Sequence, residues 1–371
     1  MDSRFLALRA LGFAAVVLAG CEAPVEEADL LEPLPIRYTT EEVEVATGFD
    51  APLCEGDLRW LDAHTRRLEQ LLGVPGDRLR TIYAYDESDI LHDAEEGSVF
   101  LQIPGCPRNL TGCYHRDERV ALGLSHSLAH ELVHSVSNDL DPSYVRFWYE
   151  GLAEALSEHP LVYQSADLVA EENSDDVRYA IPAHFIRWLM ERDGIDAVLQ
   201  VFEGEPFESV YGMQLAAMER LYDAEAPEVL PSPFACREEA VPPAEDGSFR
   251  LALELDCAAA GTTRLRHGNA LEHLGVVRTF TTDSASLYVV GAEGVERIEV
   301  GGCQTQPGDL FEQLGDVEND TTGLAGFGPP RTTQVHIGQE VLLPARTYRL
   351  VLTAPDTDAP KTVRFSMTPV P

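Results

Sequence analysis

Two histidines four residues apart constrain the fold more than any other feature of the chain. They are His130 and His134 in the segment AHELVHSV, residues 129–136, and Glu131 stands between them. Positions i and i+4 lie one above the other on an α-helix, so both imidazoles reach one metal ion if this segment is helical. Glu131 is offset around the helix, where a carboxylate can approach a metal-bound water without being a ligand. The spacing therefore predicts a metal-binding helix.

A third protein ligand is expected downstream, because a catalytic zinc site uses three protein ligands and leaves one position open. Glu150 follows His134 after fifteen residues, which is enough for the chain to leave one helix and enter an antiparallel second one. The segment YEGLAEALSE, 149–158, has apolar residues at helical spacing. Glu154 lies one turn after Glu150, and we expect it to accept the N–H of a ligating histidine and fix the orientation of that ring.

The segments HELVH and WYEGLAEALSE together resemble the gluzincin metallopeptidases, which include thermolysin and the aminopeptidase N family. In that group a glutamate downstream of H-E-x-x-H is the third zinc ligand. The resemblance covers roughly residues 125–192. It implies a Zn²⁺-dependent peptidase in which Glu131 is the general base and the zinc ligands are His130, His134 and Glu150.

A tyrosine further along the chain also fits this resemblance. Aminopeptidase relatives carry a tyrosine ten residues before a helix leucine, and its hydroxyl stabilises the tetrahedral intermediate. Tyr179 in YAIPAHFIRWL precedes Leu189 by ten residues, which implies the same role. The chain departs from these relatives in its shorter connection to the third ligand, in Tyr149 where asparagine is frequent, and in lacking the exopeptidase motif G-x-M-E-N. Exo- or endopeptidase action therefore stays open.

The charge of the chain excludes one class of partner. The formal net charge is −36 over 371 residues, so the chain cannot neutralise phosphates in bulk and we expect no nucleic-acid partner. The expected partners are a protein or peptide substrate and the lipid of a membrane.

The N-terminus reads as an export signal. Arg4 and Arg9 accompany an apolar run that is too short to span a bilayer, and small residues precede Cys21. The sequence LAGC resembles the bacterial lipobox, which implies a signal peptide over 1–20 and acylation of Cys21. The alternative is a plain signal peptide with an incidental cysteine. Residues 21–49 are rich in Glu, Pro and Asp, as expected of a tether to the bacterial cell envelope, at the outer membrane or the cell surface.

Six cysteines remain after Cys21, and six in an exported chain indicate disulfides. The segment CPRNLTGC closes a short turn between Cys106 and Cys113. The other four allow more than one pairing. Pairs that respect the domain division given below are Cys54–Cys236 and Cys257–Cys303.

The sequence pattern changes near residue 225. Residues 50–225 carry the helical patterns and the metal motif, and we predict a mainly helical, gluzincin-like domain with a small N-terminal β-sheet. Residues 226–247 are rich in Pro and Glu and read as a linker. Residues 248–371 alternate apolar and polar side chains between turns, which predicts an all-β sandwich. The expected fold class is α+β.

The predicted function is hydrolysis of peptide bonds in extracytoplasmic proteins or peptides, with Glu131 activating a metal-bound water. The alternative is a non-catalytic surface lipoprotein that binds an envelope or extracellular partner through its β-sandwich and retains a metal-stabilised scaffold. An intact Glu131 favours the enzyme, because a scaffold does not need that carboxylate. The substrate and the oligomeric state are left open.

Overall fold

The computed structural model describes residues 31–86, 91–93, 99–107, 110–158, 160–174, 176–234, 236–265, 273–303, 333–356 and 360–370. The predicted signal peptide and Cys21 lie outside the described residues. Within these ranges, no helix combines the length and the apolar character needed to cross a bilayer.

The helices fall between residues 55 and 225. They are α1 (Glu55–Leu72), α2 (Leu128–Ser137), α3 (Arg146–Ala155), α4 (Leu168–Glu172), α5 (Ala180–Asp193), α6 (Ile195–Phe202), α7 (Phe207–Tyr211) and α8 (Leu215–Glu225), with a 3₁₀ turn at Asn138–Leu140.

The strands lie along the whole described chain. They are β1 (Tyr38–Thr39), β2 (Val43–Thr47), β3 (Arg80–Tyr85), β4 (Leu91–Asp93), β5 (Val99–Leu101), β6 (Gly112–His115), β7 (Val120–Leu124), β8 (Leu161–Val162), β9 (Val229–Leu230), β10 (Phe249–Leu255), β11 (Thr262–Thr263), β12 (His273–Thr282), β13 (Ser286–Glu293), β14 (Arg297–Gly302), β15 (Thr333–Val335), β16 (Glu340–Leu343), β17 (Arg346–Pro355) and β18 (Lys361–Pro369).

Among the described residues, helix and strand contribute almost equally, at 30% and 31%. The prediction of a mainly helical, gluzincin-like domain with a small N-terminal β-sheet is wrong, and the protein is an α+β protein with several sheets. The N-terminal sheet alone has five strands, in the order β1-β2-β3-β7-β6. Its central strands β2 and β7 have almost every residue buried, so they lack the alternation of apolar and polar residues that marks a strand in sequence. The first two strands also place the start of the folded body before residue 50.

The N-terminal sheet is mixed and covered on both faces. Strands β2, β3 and β7 run parallel, while β1 and β6 pair antiparallel at the two edges. Alternate side chains of β3 enter different cores: Ile82 and Ala84 pack under the helices, and Tyr83 and Tyr85 pack on the opposite face. Helix α2 follows β7 directly, so the sheet fixes where the predicted metal-binding helix begins.

Helices α3 and α5 approach each other closely because of a glycine. A Cβ on Gly151 would lie 2.6 Å from Cδ1 of Ile186 and 2.7 Å from Cβ of Pro182. A larger residue in the middle of α3 would separate the two helices. The glycine of the EGLAE segment is thus a packing requirement, and it brings the start of α5 up to the helix that carries Glu150.

The C-terminal region consists of two antiparallel sheets around one buried core. Their strand orders are β10-β18-β13-β16 and β11-β12-β17-β14-β15. The side chains that fill the space between them are mainly aromatic and branched aliphatic, and they include Phe249, Phe280, Tyr348, Leu352 and Phe365. Residues 226–247 add β9 to the N-terminal region and contribute Phe234 to its core.

The described residues contain three disulfides, and two of them differ from the predicted pairs. Cys106 is joined to Cys113, as the turn between them predicted. The predictions of Cys54–Cys236 and Cys257–Cys303 are wrong, because the structure joins Cys54 to Cys257 and Cys236 to Cys303. The predicted pairs placed one bridge before the C-terminal region and one within it. In the structure, both bridges instead link the C-terminal region to cysteines that precede it.

The start of α1 is held against the C-terminal region by more than a disulfide. The carboxylate of Asp57 accepts hydrogen bonds from the backbone N–H groups of Arg264 and Leu265, at 3.0 and 2.9 Å, and also from that of Cys54 at 3.1 Å. Asp57 is fully buried. A buried carboxylate is stable when backbone donors satisfy it, so this junction is a fixed one.

Candidate metal centre

Helix α2 presents polar side chains on one face and apolar ones on the other. Leu128, Leu132, Val133 and Val136 are fully buried in the core shared with the other helices. The helix begins immediately after β7, where the Ser127 hydroxyl donates to the carbonyls of Thr111 and Leu124. The apolar face fixes the rotation of the helix, so its histidines point away from that core.

His130, His134 and Glu150 converge on one point. His130 Nε2 lies 3.1 Å from His134 Nε2, and Glu150 Oε2 lies 3.3 Å from the first nitrogen and 3.2 Å from the second. The side chains are 7%, 5% and 17% exposed respectively. Within the part of the chain that the structure describes, these three residues form the group able to hold a metal ion.

The three atoms fit a tetrahedral metal site. Zinc bonds to nitrogen and oxygen ligands are about 2.0–2.2 Å long, which places neighbouring ligand atoms roughly 3.3 Å apart in a tetrahedron. The observed separations of 3.1 to 3.3 Å agree with that spacing. Two imidazole nitrogens and a carboxylate oxygen that face one point can each offer a lone pair to a cation, which would take the place of the protons in the hydrogen bonds between them.

Glu154 orients one of the ligands. Its Oε2 lies 3.0 Å from Nδ1 of His130 and the carboxylate is buried. His130 Nδ1–H therefore donates to Glu154 and leaves Nε2 free for a cation, which is the usual arrangement behind metal-binding histidines. The Nδ1 atom of His134 is buried without a hydrogen-bond partner among the described residues, so Glu154 orients only one of the two rings.

Both helices that carry ligands are held at their C-terminal ends by a buried arginine. Arg80 on β3 donates to the carbonyl of Ser135 at 3.1 Å. Arg187 on α5 donates to the carbonyl of Ala155 at 2.8 Å. Each is 1% exposed. A guanidinium at a helix C-terminus satisfies free carbonyls and opposes the helix dipole, so these contacts fix the ends of α2 and α3.

Neither buried arginine was expected from the sequence. Arg187 interrupts the apolar stretch HFIRWL, and that interruption is the available signal that it is not a surface residue. Burial lowers the pKa of Arg187 to about 9. The Arg80 guanidinium also pairs with Glu69 and Asp139.

Glu131 lies against the edge of the N-terminal sheet. It is 5% exposed, and a Cβ on Gly112 would come within 2.6 Å of its Oε1. Gly112 begins the edge strand β6, and the next residue, Cys113, is bonded to Cys106. Burial raises the pKa of Glu131 to about 8. Glu131 is thus a carboxyl group beside the convergent atoms that is poised to exchange a proton near neutral pH.

Two tyrosines flank the histidines. Tyr149 stacks on His134 with ring centroids 4.2 Å apart, and Tyr179 stacks on His130 at 6.0 Å. Tyr179 lies immediately before α5, so the close packing of that helix on α3 brings it to the site. The structure therefore places Tyr179 beside the predicted ligands. Tyr149 was identified in the sequence only as a departure from the family, and its stacking on a ligand was not expected.

The electrostatics of the site follow from burial and the neighbouring carboxylates. Burial disfavours a charge on His130, yet Glu150 and Glu154 together hold its pKa well above the ordinary value. Burial lowers the pKa of His134. Burial also opposes the ionised form of Glu150, but hydrogen bonds from both histidines keep its pKa well below the usual range. The centre is accordingly a buried anionic site that is suited to a cation.

Fold and site together define an α+β protein with a buried group of two histidines and one glutamate that could hold a metal ion. No protein-family model matches this chain, and no curated protein matches it either. The function must therefore be argued from the site itself.

Proposed function

We propose that this protein is a zinc-dependent peptidase that acts on proteins or peptides outside the cytoplasm. The observation that carries the proposal is the convergence of His130, His134 and Glu150 on one point, with the buried carboxyl group of Glu131 close enough to interact electrostatically with His130 and Glu150. Zinc is the favoured ion because a compact set of two imidazoles and one carboxylate with an open fourth position is its usual catalytic environment.

Each of the surrounding residues has a separate task in this proposal. When bound, zinc supplies a Lewis acid that acidifies a water molecule and polarises the scissile carbonyl. Glu131 accepts the proton of the attacking water and delivers it to the leaving nitrogen, for which a pKa of about 8 is suitable. Burial raises the pKa of Tyr179, so its hydroxyl keeps its proton and can donate to the carbonyl oxygen as negative charge develops there.

The position of β6 supports a peptide as the substrate. This strand is at the edge of the N-terminal sheet, and among the described residues its ladder partner is β7 alone. An extended peptide can add to such an edge through backbone hydrogen bonds. Because Gly112 of β6 abuts Glu131, a peptide on that edge would lie beside the proposed base.

The test uses the full-length protein in detergent, with casein and a peptide library as substrates. We expect one zinc per chain, cleavage that a chelator abolishes and added zinc restores, and no cleavage by Glu131→Gln although that variant still binds zinc. Cleavage unaffected by Glu131→Gln would overturn the mechanism. Zinc binding without any cleavage by the wild type would instead favour the non-catalytic binding protein.

We further propose that the chain is exported and anchored by a lipid on Cys21. The three disulfides support an oxidising compartment, because such bonds are rare in the cytosol. In a bacterial host, labelled palmitate should enter the wild-type protein and not Cys21→Ala, and only the wild type should partition into the detergent phase. Equal partitioning of both forms would exclude the anchor.

A further inference from the structure

Two exposed arginines contact aromatic rings that lead to the candidate metal centre. Arg146 lies beside Tyr179, whose ring stacks on His130. Arg116 lies with its guanidinium carbon 3.9 Å from the ring centroid of Tyr144. Tyr144 in turn contacts Tyr149, with ring centroids 5.4 Å apart, and Tyr149 stacks on His134. Each ligating imidazole is thus connected through aromatic rings to a cationic side chain at the surface.

Arg146 is the arginine closer to the reacting atoms. It opens α3, one helical turn before Glu150, so the two side chains lie on the same face of that helix. One of its terminal nitrogens lies 3.3 Å from the hydroxyl oxygen of Tyr179. The groups that act on the Arg146 guanidinium electrostatically include the carboxylates of Glu150 and Asp176. Arg146 therefore places a positive charge at the mouth of a buried anionic site.

The distance from Arg146 to a bound substrate follows from the proposed function, on which this inference rests. If the Tyr179 hydroxyl donates to the scissile carbonyl oxygen at about 2.8 Å, the Arg146 nitrogen 3.3 Å from that hydroxyl lies within roughly 6 Å of the same oxygen. Successive Cα atoms are about 3.8 Å apart. A group on the residue next to the scissile bond can therefore reach the guanidinium.

We propose that Arg146 selects peptides that carry a carboxylate on the residue next to the scissile bond. A guanidinium recognises a carboxylate through charge-assisted and often bidentate hydrogen bonds. In a peptide that carboxylate is either an Asp or Glu side chain or the free C-terminus. The two sources have the same chemistry and lead to different products, namely internal fragments or single residues released from the end.

The test compares matched substrates. One set consists of quenched fluorescent peptides, blocked at both ends, with Asp, Asn or Lys at the positions beside the cleaved bond, which is located by mass spectrometry. The other set consists of N-blocked peptides that end one residue after the cleaved bond in a carboxylate or an amide. We expect kcat/KM to be about tenfold higher for the carboxylate member of one set, with the difference mainly in KM. A higher kcat/KM for Asp peptides in the first set identifies a side-chain carboxylate as the group that Arg146 recognises. A higher kcat/KM for the carboxylate form in the second set identifies the free C-terminus.

Variants at one position connect this preference to Arg146. Arg146→Gln is expected to abolish the ratio between carboxylate and neutral substrates, Arg146→Lys to retain part of it, and Arg146→Glu to favour Lys over Asp. The matched control is Arg220→Gln, which removes an exposed arginine from α8 and should keep the wild-type ratio. Zinc content and melting temperature establish that each variant is folded.

The outcomes separate this inference from the proposed function. A wild type that cleaves acidic and neutral peptides equally well overturns the inference and leaves the peptidase intact. An Arg146→Gln variant that loses kcat equally on all peptides also overturns it, because Arg146 would then act only through the Tyr179 hydroxyl. A wild type that cleaves no peptide overturns both proposals.

Discussion

The two buried regions of this protein are built in opposite ways. The space between the C-terminal sheets is filled with side chains such as Phe249, Phe280 and Leu352, and its stability comes from apolar surface removed from water. The metal centre buries Glu131, Glu154 and two histidines in a small volume. Burying charged groups is unfavourable unless they are compensated. The first region is therefore stabilised by apolar burial, whereas the charges of the second would be compensated by a bound cation.

The largest effect is expected from removing a ligand at the metal centre. His134→Ala should weaken zinc binding by more than about a hundredfold, because even partners behind a ligand contribute ten- to a hundredfold. Cleavage should fall below detection. Zinc titration monitored by calorimetry measures the loss. The control is His336→Ala, an exposed histidine of the C-terminal region, and equal losses in both variants would contradict the assignment of the ligands.

A cavity in the C-terminal core should reduce stability and leave zinc affinity unchanged. Phe280 is 1% exposed and stacks on Tyr348 with ring centroids 5.2 Å apart. Phe280→Ala should lower the free energy of unfolding by about 3–5 kcal/mol. Urea unfolding measures this loss, and zinc titration of the folded variant should give the wild-type affinity. A weakened zinc affinity would show that the two regions are not independent.

Neutralising the proposed base should stabilise the zinc-free protein at high pH. The pKa of Glu131 is about 8 in the folded protein against an ordinary value of 4.5, so the unfolded chain releases this proton earlier. The group therefore reduces stability progressively as the pH rises from 4.5 to 8. Glu131→Gln should remove this loss and raise the free energy of unfolding by about 4 kcal/mol at pH 8, since each pKa unit corresponds to about 1.4 kcal/mol.

At pH 4.5 or below, the same substitution should leave the free energy of unfolding almost unchanged, because Glu131 is then protonated in the folded protein and at least half protonated in the unfolded protein. Denaturant unfolding of both zinc-free proteins at pH 4.5 and pH 8 provides the comparison. A difference that does not grow between these two values would mean that Glu131 is not held neutral by burial.

The smallest effect is expected at the contact between α3 and α5. In Gly151→Ala, the added methyl group would clash with Ile186 and Pro182. This clash should outweigh the better helix propensity of alanine, so the free energy of unfolding should fall by about 1 kcal/mol. Because α5 carries Tyr179 at its start, kcat should fall while zinc affinity stays close to that of the wild type. A more stable variant with unchanged kcat would show that the helices can separate without affecting the site.

His130 and His134 could be predicted to lie together from helix periodicity, and Glu150 could be predicted because a third ligand was expected from the next helix. The pattern predicted that His130, His134 and Glu150 would lie together and that Glu154 would stand behind a histidine, and the structure brings all four into contact. Local sequence also accounts for the end of α1 at Leu72, because Gly73 follows with a φ of 68°.

Features that depend on contacts between distant segments were not predictable in this way. The pairing of Cys54 with Cys257 joins residues 203 positions apart, and spacing alone does not choose among the possible partners. The extent of the N-terminal sheet was underestimated because its central strands are short and buried on both faces. Arg187 stabilises the end of α3 from another helix, and nothing in the local sequence states which carbonyls it will meet.

The bridge between Cys106 and Cys113 bears on when the protein could become active. It closes the loop that leads into β6, the strand that lies against Glu131. Such a bond forms after a chain leaves a reducing compartment. Before the bridge forms, this strand would be held by its pairing with β7 without a covalent link to Cys106. If the proposed peptidase is exported, the surroundings of Glu131 would be completed only in the oxidising compartment, which would protect the producing cell from premature hydrolysis.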